Sequence, residues 1–214
     1  MPEVIETIVY QFEELSDGAK ENARAWYREG GFDYEWYELV LEDFSRICEC
    51  LGVRLKTSPV RLVGGGTRDE PKIHFTGFWS QGDGACFQAY YSYRKGAPRA
   101  IRDYAPKDTM LHGIADGLQS TQRRNFYQLR ADVSHRGHYY HEYCMEISVE
   151  RESPTYQDMT SDAEETVMEA LRDLARWLYR RLENEYNALT SDEMVDETIV
   201  ANAYTFTASG RRFG

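Results

Sequence analysis

The feature that most constrains this chain is a long amphipathic segment in its last third, which follows Ser161 and Asp162. Glu164 and Glu165 lie in its first turn, where carboxylates favour the positive end of a helix. Leucine and valine then recur at intervals of three and four residues, as one apolar face of a helix requires. The face consists of Val167, Leu171, Leu174, Leu178 and Leu182. A helix with one such face has to pack on another layer of structure.

Further helices are predicted before this segment. The first begins after Ser16 and stops at Gly30, because serine favours the N-cap and glycine the carboxyl end of a helix. A second covers residues 34–51, where apolar side chains recur three and four positions apart. Another lies within residues 97–124, after prolines that interrupt the start of this stretch.

The middle of the chain is predicted to be rich in β-strands. In the last predicted strand, the side chains from Tyr139 to Val149 alternate between an apolar and a polar face, which is typical of a half-buried antiparallel strand. In the first, Phe75 and Trp79 are expected to share a face. The predicted strands cover residues 72–79, 86–94, 125–134 and 138–149.

This order of segments predicts an α+β fold. Because the strands gather in the middle, we expect a single, mainly antiparallel sheet of about four to six strands, packed by N- and C-terminal helices. The chain has 214 residues and contains no tract that resembles a linker. We therefore expect one α+β domain over residues 1–214.

Charge and composition limit the classes of function. A formal net charge of −11 repels phosphates and argues against duplex nucleic acid as a direct partner. No run reaches the roughly 18 apolar residues of a membrane span, and the first residues lack a secretory signal, so we expect no membrane partner. The four cysteines include no C-x-x-C pair and are expected to be reduced thiols of a cytoplasmic protein.

The first candidate site is the loop within FTGFWSQGDGACF, residues 75–87. Gly82 and Gly84 permit a tight turn, so a hairpin connection is one explanation of this segment. The neighbouring residues add one flat apolar face and three polar groups, a mixture found in small-molecule and protein-contact sites. The candidate binding residues here are Trp79, Ser80, Gln81 and Asp83.

The second candidate site is SHRGHYYHEYC, residues 134–144. Its histidines and cysteine, which recur every third residue, raise the alternative of a zinc site; they are His135, His138, His141 and Cys144. Residues three apart on a strand point to opposite faces, so we expect hydrogen-bonded imidazoles at a hairpin tip and no metal or other cofactor. The candidate binding residues are His138, Tyr140 and His141. We expect this tip, around Gly137, to lie exposed beside the loop that contains Asp83.

The third candidate is a basic segment between the acidic ends of the chain. Arg123 and Arg124, in the motif QRRNFY, are expected to be the centre of a basic, aromatic-lined surface for an anionic ligand. The planar guanidinium group suits this role because it donates two hydrogen bonds to one phosphate. The alternative is that the basic residues lie at strand edges, where they deter pairing with other chains.

Six segments carry a resemblance that covers nearly the whole chain. They are ELSDGAKENARAWYREGG, FTGFWSQGDGACF, YAPKD, QRRNFYQL, HRGHYYH and TSDEMVDETIVANAYTF. With them the chain resembles a family of largely uncharacterised proteins from phages, prophages and plasmids, some of which are automatically labelled as the antitoxin of a toxin–antitoxin stability system. The resemblance implies an accessory protein of a mobile element that inhibits another protein, as anti-CRISPR and other counter-defence proteins do. It implies no catalytic residue.

These observations lead to three hypotheses about function. In the first, the protein is not an enzyme and neutralises a toxin or a host defence protein in the bacterial cytoplasm. Its expected contacts are Trp79, Gln81, Asp83, Arg124 and Tyr140. In the second, the two loops bind or cleave a nucleotide-like anion with Arg123, Arg124, His138 and His141. In the third, the acidic helices mimic DNA.

Overall fold

The computed structural model describes residues 6–32 and 35–214. The chain divides into two compact units. One is formed by Met1–Tyr37 together with Glu183–Gly214, and the other by Glu38–Leu182. The expectation of one domain over residues 1–214 stays a prediction.

The helices confirm most of the predicted helical segments. They are α1 (Asp17–Trp26), α2 (Glu38–Leu51), α3 (Ala97–Tyr104), α4 (Thr109–Arg124), α5 (Ala163–Leu189) and α6 (Asp192–Ala201). The predicted face of α5 is buried from Val167 to Leu182. The helix predicted over 34–51 begins at Glu38, and Tyr34 lies outside the described residues. Pro98 lies in the first turn of α3, where a backbone N–H would have no partner within the helix. Proline is therefore tolerated there, and α3 begins earlier than expected.

The strands are short and all pair in antiparallel fashion. They are β1 (Tyr10–Gln11), β2 (Val53–Leu55), β3 (Thr57–Arg61), β4 (Thr67–Pro71), β5 (Ile73–Phe75), β6 (Ala85–Phe87), β7 (Ala89–Ser92), β8 (Leu129–His135), β9 (Met145–Arg151), β10 (Thr205–Phe206) and β11 (Arg212–Phe213). They form a four-stranded sheet of order β2-β7-β8-β9, a three-stranded sheet of order β1-β10-β11, and the two-stranded pairs β3-β4 and β5-β6.

The unit that joins both chain ends has its own small core. Phe12 from the amino-terminal part and Phe206 from β10 pack edge to face, with ring centroids 6.4 Å apart. Val195 and Ile199 of α6 are fully buried in the same cluster. Arg24 of α1 donates two hydrogen bonds to the Asp196 carboxylate, at 2.7 and 2.6 Å, and thereby ties α1 to α6.

The larger unit packs helices against the strands that precede and follow them. Phe44 of α2 is fully buried, with its ring centroid 5.4 Å from that of Phe87 in β6 and 6.4 Å from that of Trp177 in α5. In the four-stranded sheet, β8 pairs with β9 over seven positions, from Leu129 opposite Arg151 to His135 opposite Met145. This is the longest ladder of the sheet, and the candidate sites lie at its two ends.

A three-way junction of backbone hydrogen bonds divides the strands that precede β8. Lys56 lies between β2 and β3, Lys72 between β4 and β5, and Gln88 between β6 and β7. The Lys56 amide donates to the Gln88 carbonyl at 2.8 Å, the Gln88 amide to the Lys72 carbonyl at 2.9 Å, and the Lys72 amide to the Lys56 carbonyl at 2.7 Å. The three chain segments that meet here are residues 53–61, 67–75 and 85–92. Each segment pairs with one of the other two on one side of this ring and with the remaining one on the other side.

The predicted α+β class with antiparallel strands and terminal helices is therefore confirmed, but the strands form several small sheets. The junction is the reason, because β5-β6 separates there from the four-stranded sheet. The predicted strands are also shorter than expected. The strand expected over 72–79 ends at Phe75, so Trp79 lies in a loop, and the strand expected over 86–94 is divided at Gln88 and ends at Ser92. The strands expected over 125–134 and 138–149 begin at Leu129 and Met145.

The turn after α4 is held by two fully buried polar side chains, Gln122 and Asn125. The Gln122 amide group donates to the Leu129 carbonyl at 2.7 Å and accepts from the Leu129 amide at 3.1 Å, in the manner of a paired strand. Asn125 donates to Thr160 Oγ1 at 3.0 Å and accepts from the Thr160 amide at 2.9 Å. The Gln122 bonds close the turn locally and the Asn125 bonds tie it to the distant Thr160, so together they hold the backbone of the turn in one conformation.

That conformation places Phe126 and Tyr127 at φ values of 56° and 62°. The left-handed region costs an ordinary L-residue roughly 1–2 kcal/mol, whereas glycine and asparagine tolerate it. Phe126 is nevertheless 69% exposed, so burial of its ring does not offset the strain. The strained backbone is a consequence of the surrounding hydrogen bonds.

We expect Phe126→Asn to raise the free energy of unfolding by about 0.5–1 kcal/mol, because asparagine relieves the left-handed strain and little buried area is lost. Urea unfolding followed by circular dichroism measures this change. Tyr90→Asn, at a 46% exposed position in β7, is the matched control and is expected to lower stability, because asparagine is unfavourable in strands. A fall of more than about 1 kcal/mol for Phe126→Asn would show that the ring contributes to folding.

Candidate functional site

The structure brings the first two candidate loops into contact. They are residues 76–84, between β5 and β6, and residues 136–144, between β8 and β9, and we call them the paired loops. A β-carbon built on Gly84 would lie 2.8 Å from His141 Cα and 2.9 Å from the Tyr140 carbonyl oxygen. One built on Gly82 would lie 3.6 Å from Tyr139 Cδ1. Glycine at position 84 therefore permits the close approach of the two backbones, whereas the distance at Gly82 is an ordinary van der Waals contact.

Asp83 organises the first of the paired loops. Its Oδ2 atom accepts hydrogen bonds from the Trp79 amide at 3.1 Å and the Ser80 amide at 2.6 Å. The Gly84 amide donates to Thr76 Oγ1 at 3.2 Å, which closes the base of the loop. The Asp83 carboxylate thus holds the turn, while Ser80 and Gln81 are exposed beside it.

A cluster of three rings joins the loops beneath their surface. The Tyr140 ring contacts both His74 of β5 and His135 of β8, with ring centroids at 5.0 and 5.2 Å. The His74 and His135 centroids are 6.1 Å apart. Burial lowers the pKa of His74, and the charges of His135 and Lys72 lower it further. Tyr140, a sequence candidate, is therefore half-buried, whereas His74 was not predicted because its strand shows no polar motif.

His138 and His141 differ in their surroundings. His141 Nδ1 accepts a hydrogen bond from the Tyr143 amide at 3.0 Å, and its Nε2 lies 3.5 Å from Cys144 Sγ. His138 is exposed near the tip at Gly137. Across residues 6–32 and 35–214, no group of three or more His, Cys, Asp or Glu side chains is arranged to hold a metal ion.

The outer surface of the paired loops carries three large aromatic side chains. Trp79 is 75% exposed, and Tyr139 and Tyr143 are each 65% exposed. The predicted strand placed Tyr139 and Tyr143 on a buried face, and this was wrong because β9 begins only at Met145. We call Trp79, Tyr139 and Tyr143 the aromatic surface of the paired loops.

Tyr143 is held in place by an arginine network on α5. The Arg172 and Arg176 guanidinium carbons each lie 5.5 Å from the centroid of the Tyr143 ring. Arg176 also donates to the Tyr143 hydroxyl at 3.1 Å and forms an ion pair with Glu142 at 3.0 Å. Carboxylates of α5 complete the network and raise the pKa of Arg176. This network fixes the second of the paired loops to the helix.

Arg123 and Arg124 lie away from the paired loops. They end α4 and precede β8 at Leu129, whereas His135 at the far end of β8 leads into the loop. A strand of this length spans about 20 Å, so the arginines do not meet His138 and His141 in one pocket. Arg124 pairs with Asp162 at 2.7 Å and lowers the pKa of that carboxyl group. The structure thus separates the four groups of the nucleotide hypothesis.

Residues 36–192 match the model of a family described as Domain of unknown function (DUF8835). The chain belongs to this family. The DUF8835 match contains both paired loops, the four-stranded sheet and the turn after α4. No curated protein and no solved structure matches the chain. Within the described part of this DUF8835 protein, no helix is long and apolar enough to cross a membrane.

The contact between the paired loops predicts different effects for two glycines of the same loop. Gly84→Ala is expected to lower the free energy of unfolding by about 2 kcal/mol, because the added methyl group collides with His141 and Tyr140 backbone atoms. Gly77→Ala is the matched control, since its added methyl group would lie 3.4 Å from Asp83 Oδ2, and it should change stability much less. Thermal unfolding measures both. Equal effects would contradict the close packing.

The lowered pKa of His74 predicts a dependence of stability on pH. The unfolded chain, with a pKa of about 6.5, takes up the proton before the folded protein does as the pH falls. The contribution of His74 to the free energy of unfolding is therefore fully present above about pH 6.5. It is lost as the pH falls toward the lower pKa that His74 has in the folded protein. His74→Gln should reduce the difference in melting temperature between about pH 7.5 and pH 5.5. The exposed His138→Gln serves as control and should behave like the original protein.

Proposed function

We propose that this protein acts by binding another protein through the aromatic surface of the paired loops. The observation that supports this function is the exposure of Trp79, Tyr139 and Tyr143 on two loops packed against each other. Tryptophan and tyrosine contribute a large share of the energy of protein interfaces. Exposed aromatic residues that are grouped on neighbouring loops are typical of surfaces that bind other proteins.

The hydrogen bonds that hold Trp79 and Tyr143 in place favour tight binding of a partner. Asp83 fixes the backbone of Trp79, and Arg176 fixes the Tyr143 hydroxyl. A surface that is already ordered loses less conformational entropy when its partner arrives. Tyrosine and tryptophan add to this advantage because they have few rotatable bonds for their contact area.

The proposed consequence of binding is neutralisation of the partner in the bacterial cytoplasm. The resemblance to proteins of phages and plasmids supports this role, with a toxin or a host defence protein as the partner. A net charge of −11 supports a protein partner in preference to duplex nucleic acid. Gln81, one of the contacts expected from the sequence, lies at the edge of the aromatic surface in this proposal, whereas Arg124 lies at the other end of β8 and takes no part.

Affinity capture from host lysates, followed by calorimetry with the purified partner, tests the proposal. Tyr139→Ala is expected to weaken binding by about 30-fold, as the loss of an interface aromatic worth about 2 kcal/mol requires. Phe126→Asn, which changes an exposed aromatic residue at the other end of β8, is the matched control and should leave binding unchanged. Circular dichroism verifies that both variants fold.

Two outcomes would contradict the proposed function. One is the absence of any stoichiometric partner in lysates of several bacterial hosts. The other is a partner that binds Tyr139→Ala and the original protein equally well, because the paired loops would then lie outside the interface. Release of the partner's own activity by Tyr139→Ala would support neutralisation.

A further inference from the structure

A second surface of the larger unit combines exposed aromatic rings with a strained backbone. Among the described residues, positive φ angles outside glycine occur at Phe126, Tyr127, Tyr156 and Ala203. The three aromatic residues of this group are 69%, 43% and 96% exposed, respectively. Strained backbone conformations are concentrated at functional sites, so the exposed rings at these positions indicate a candidate binding surface.

Arg151 joins the segments that carry these rings. Its guanidinium carbon lies 5.3 Å from the centroid of the Phe126 ring. It donates hydrogen bonds to Gln128 Oε1 at 2.9 Å, to Gln157 Oε1 at 2.9 Å and to the Asp158 carbonyl at 2.7 Å. Arg151 therefore links the turn at Phe126 to the loop that contains Tyr156.

Two arginines at this surface have no carboxylate partner within the described residues. All three hydrogen bonds of Arg151 end on neutral amide or carbonyl oxygens. Arg123, three positions before Phe126, is exposed. Neither arginine forms an ion pair with a carboxylate of the described residues, whereas Arg124 and Arg130 pair with Asp162 and Glu152. In a chain with net charge −11, two uncompensated guanidinium groups beside exposed rings favour an anionic ligand.

We propose that this surface binds single-stranded nucleic acid. We call it the aromatic–arginine surface, and it consists of Phe126, Tyr127, Tyr156, Arg123 and Arg151. A single strand presents flat bases and negative phosphates in alternation, and a surface that combines exposed aromatic rings with unpaired guanidinium groups suits both. Bases stack on Phe126 and Tyr156, and phosphates pair with Arg123 and Arg151. A duplex hides its base faces and meets the overall negative charge, so it does not suit this surface.

The turn after α4 explains how the rings are kept available for stacking. Fully buried Gln122 and Asn125 hold the turn from inside, so the ring of Phe126 is not needed to fill the core. Tyr127 is steadied by Tyr93, with ring centroids 4.4 Å apart. A rigid platform of this kind binds bases with little loss of entropy.

Fluorescence anisotropy with a labelled oligothymidylate of about ten nucleotides tests the proposal, since such strands cover typical single-strand sites. With two phosphates neutralised, the logarithm of the binding constant should fall with the logarithm of salt concentration with a slope of about −1.4. Arg123→Gln should reduce the slope to about −0.7. Phe126→Asn should weaken binding at least about fivefold at every salt concentration, because it removes one stacked base.

The controls separate this inference from the proposed function. Tyr139→Ala, on the paired loops, should bind the oligothymidylate like the original protein, and a duplex of the same length should bind more weakly. The inference is overturned if the original protein gives no anisotropy change at low salt, or if Phe126→Asn binds equally well. It is also overturned if polyglutamate of the same length competes equally, since the surface would then recognise acidic protein segments. None of these results bears on capture of a protein by Trp79 and Tyr139.

Discussion

The ring of backbone hydrogen bonds between Lys56, Lys72 and Gln88 is the constraint on which the larger unit depends. Backbone donors and acceptors in a protein interior have to be paired, and the ring pairs them at the point where three chain segments change partners. Beyond it, β5 and β6 leave the four-stranded sheet as a separate hairpin. That departure carries residues 76–84 to the loop between β8 and β9, and the paired loops are its result.

Both ends of the β8 ladder use buried or half-buried polar groups to present aromatic side chains to solvent. At one end Asp83 and Arg176 support the aromatic surface of the paired loops. At the other, Gln122 and Asn125 hold Phe126 in the left-handed region. In each case hydrogen bonds fix the backbone, so the rings remain largely exposed to solvent instead of packing in the core. The two proposals assign different ligands because the two ends differ in charge.

The charge difference follows from how arginines are paired. Arg176, below Tyr143, is surrounded by Glu142, Glu169 and Asp173, so the paired loops present rings over a neutralised network. Arg151, beside Phe126, meets only neutral oxygens among the described residues and keeps its charge. The two proposals therefore assign a protein partner to the aromatic surface over the neutralised network and an anionic ligand to the surface that contains Arg151.

The sequence by itself determined the helices, because their caps and apolar spacing are local, as the buried face of α5 from Val167 to Leu182 shows. It also indicated that the loops around Asp83 and Gly137 are candidate sites, since glycine, histidine and aromatic residues gather there. It did not reveal the exposure of Tyr139 or the left-handed backbone of Phe126. The tertiary structure alone decided these features, because Asn125 ties the turn at Phe126 to the distant Thr160, and because Tyr139 lies in the loop that packs on residues 76–84 before β9 begins at Met145. No local pattern records such contacts.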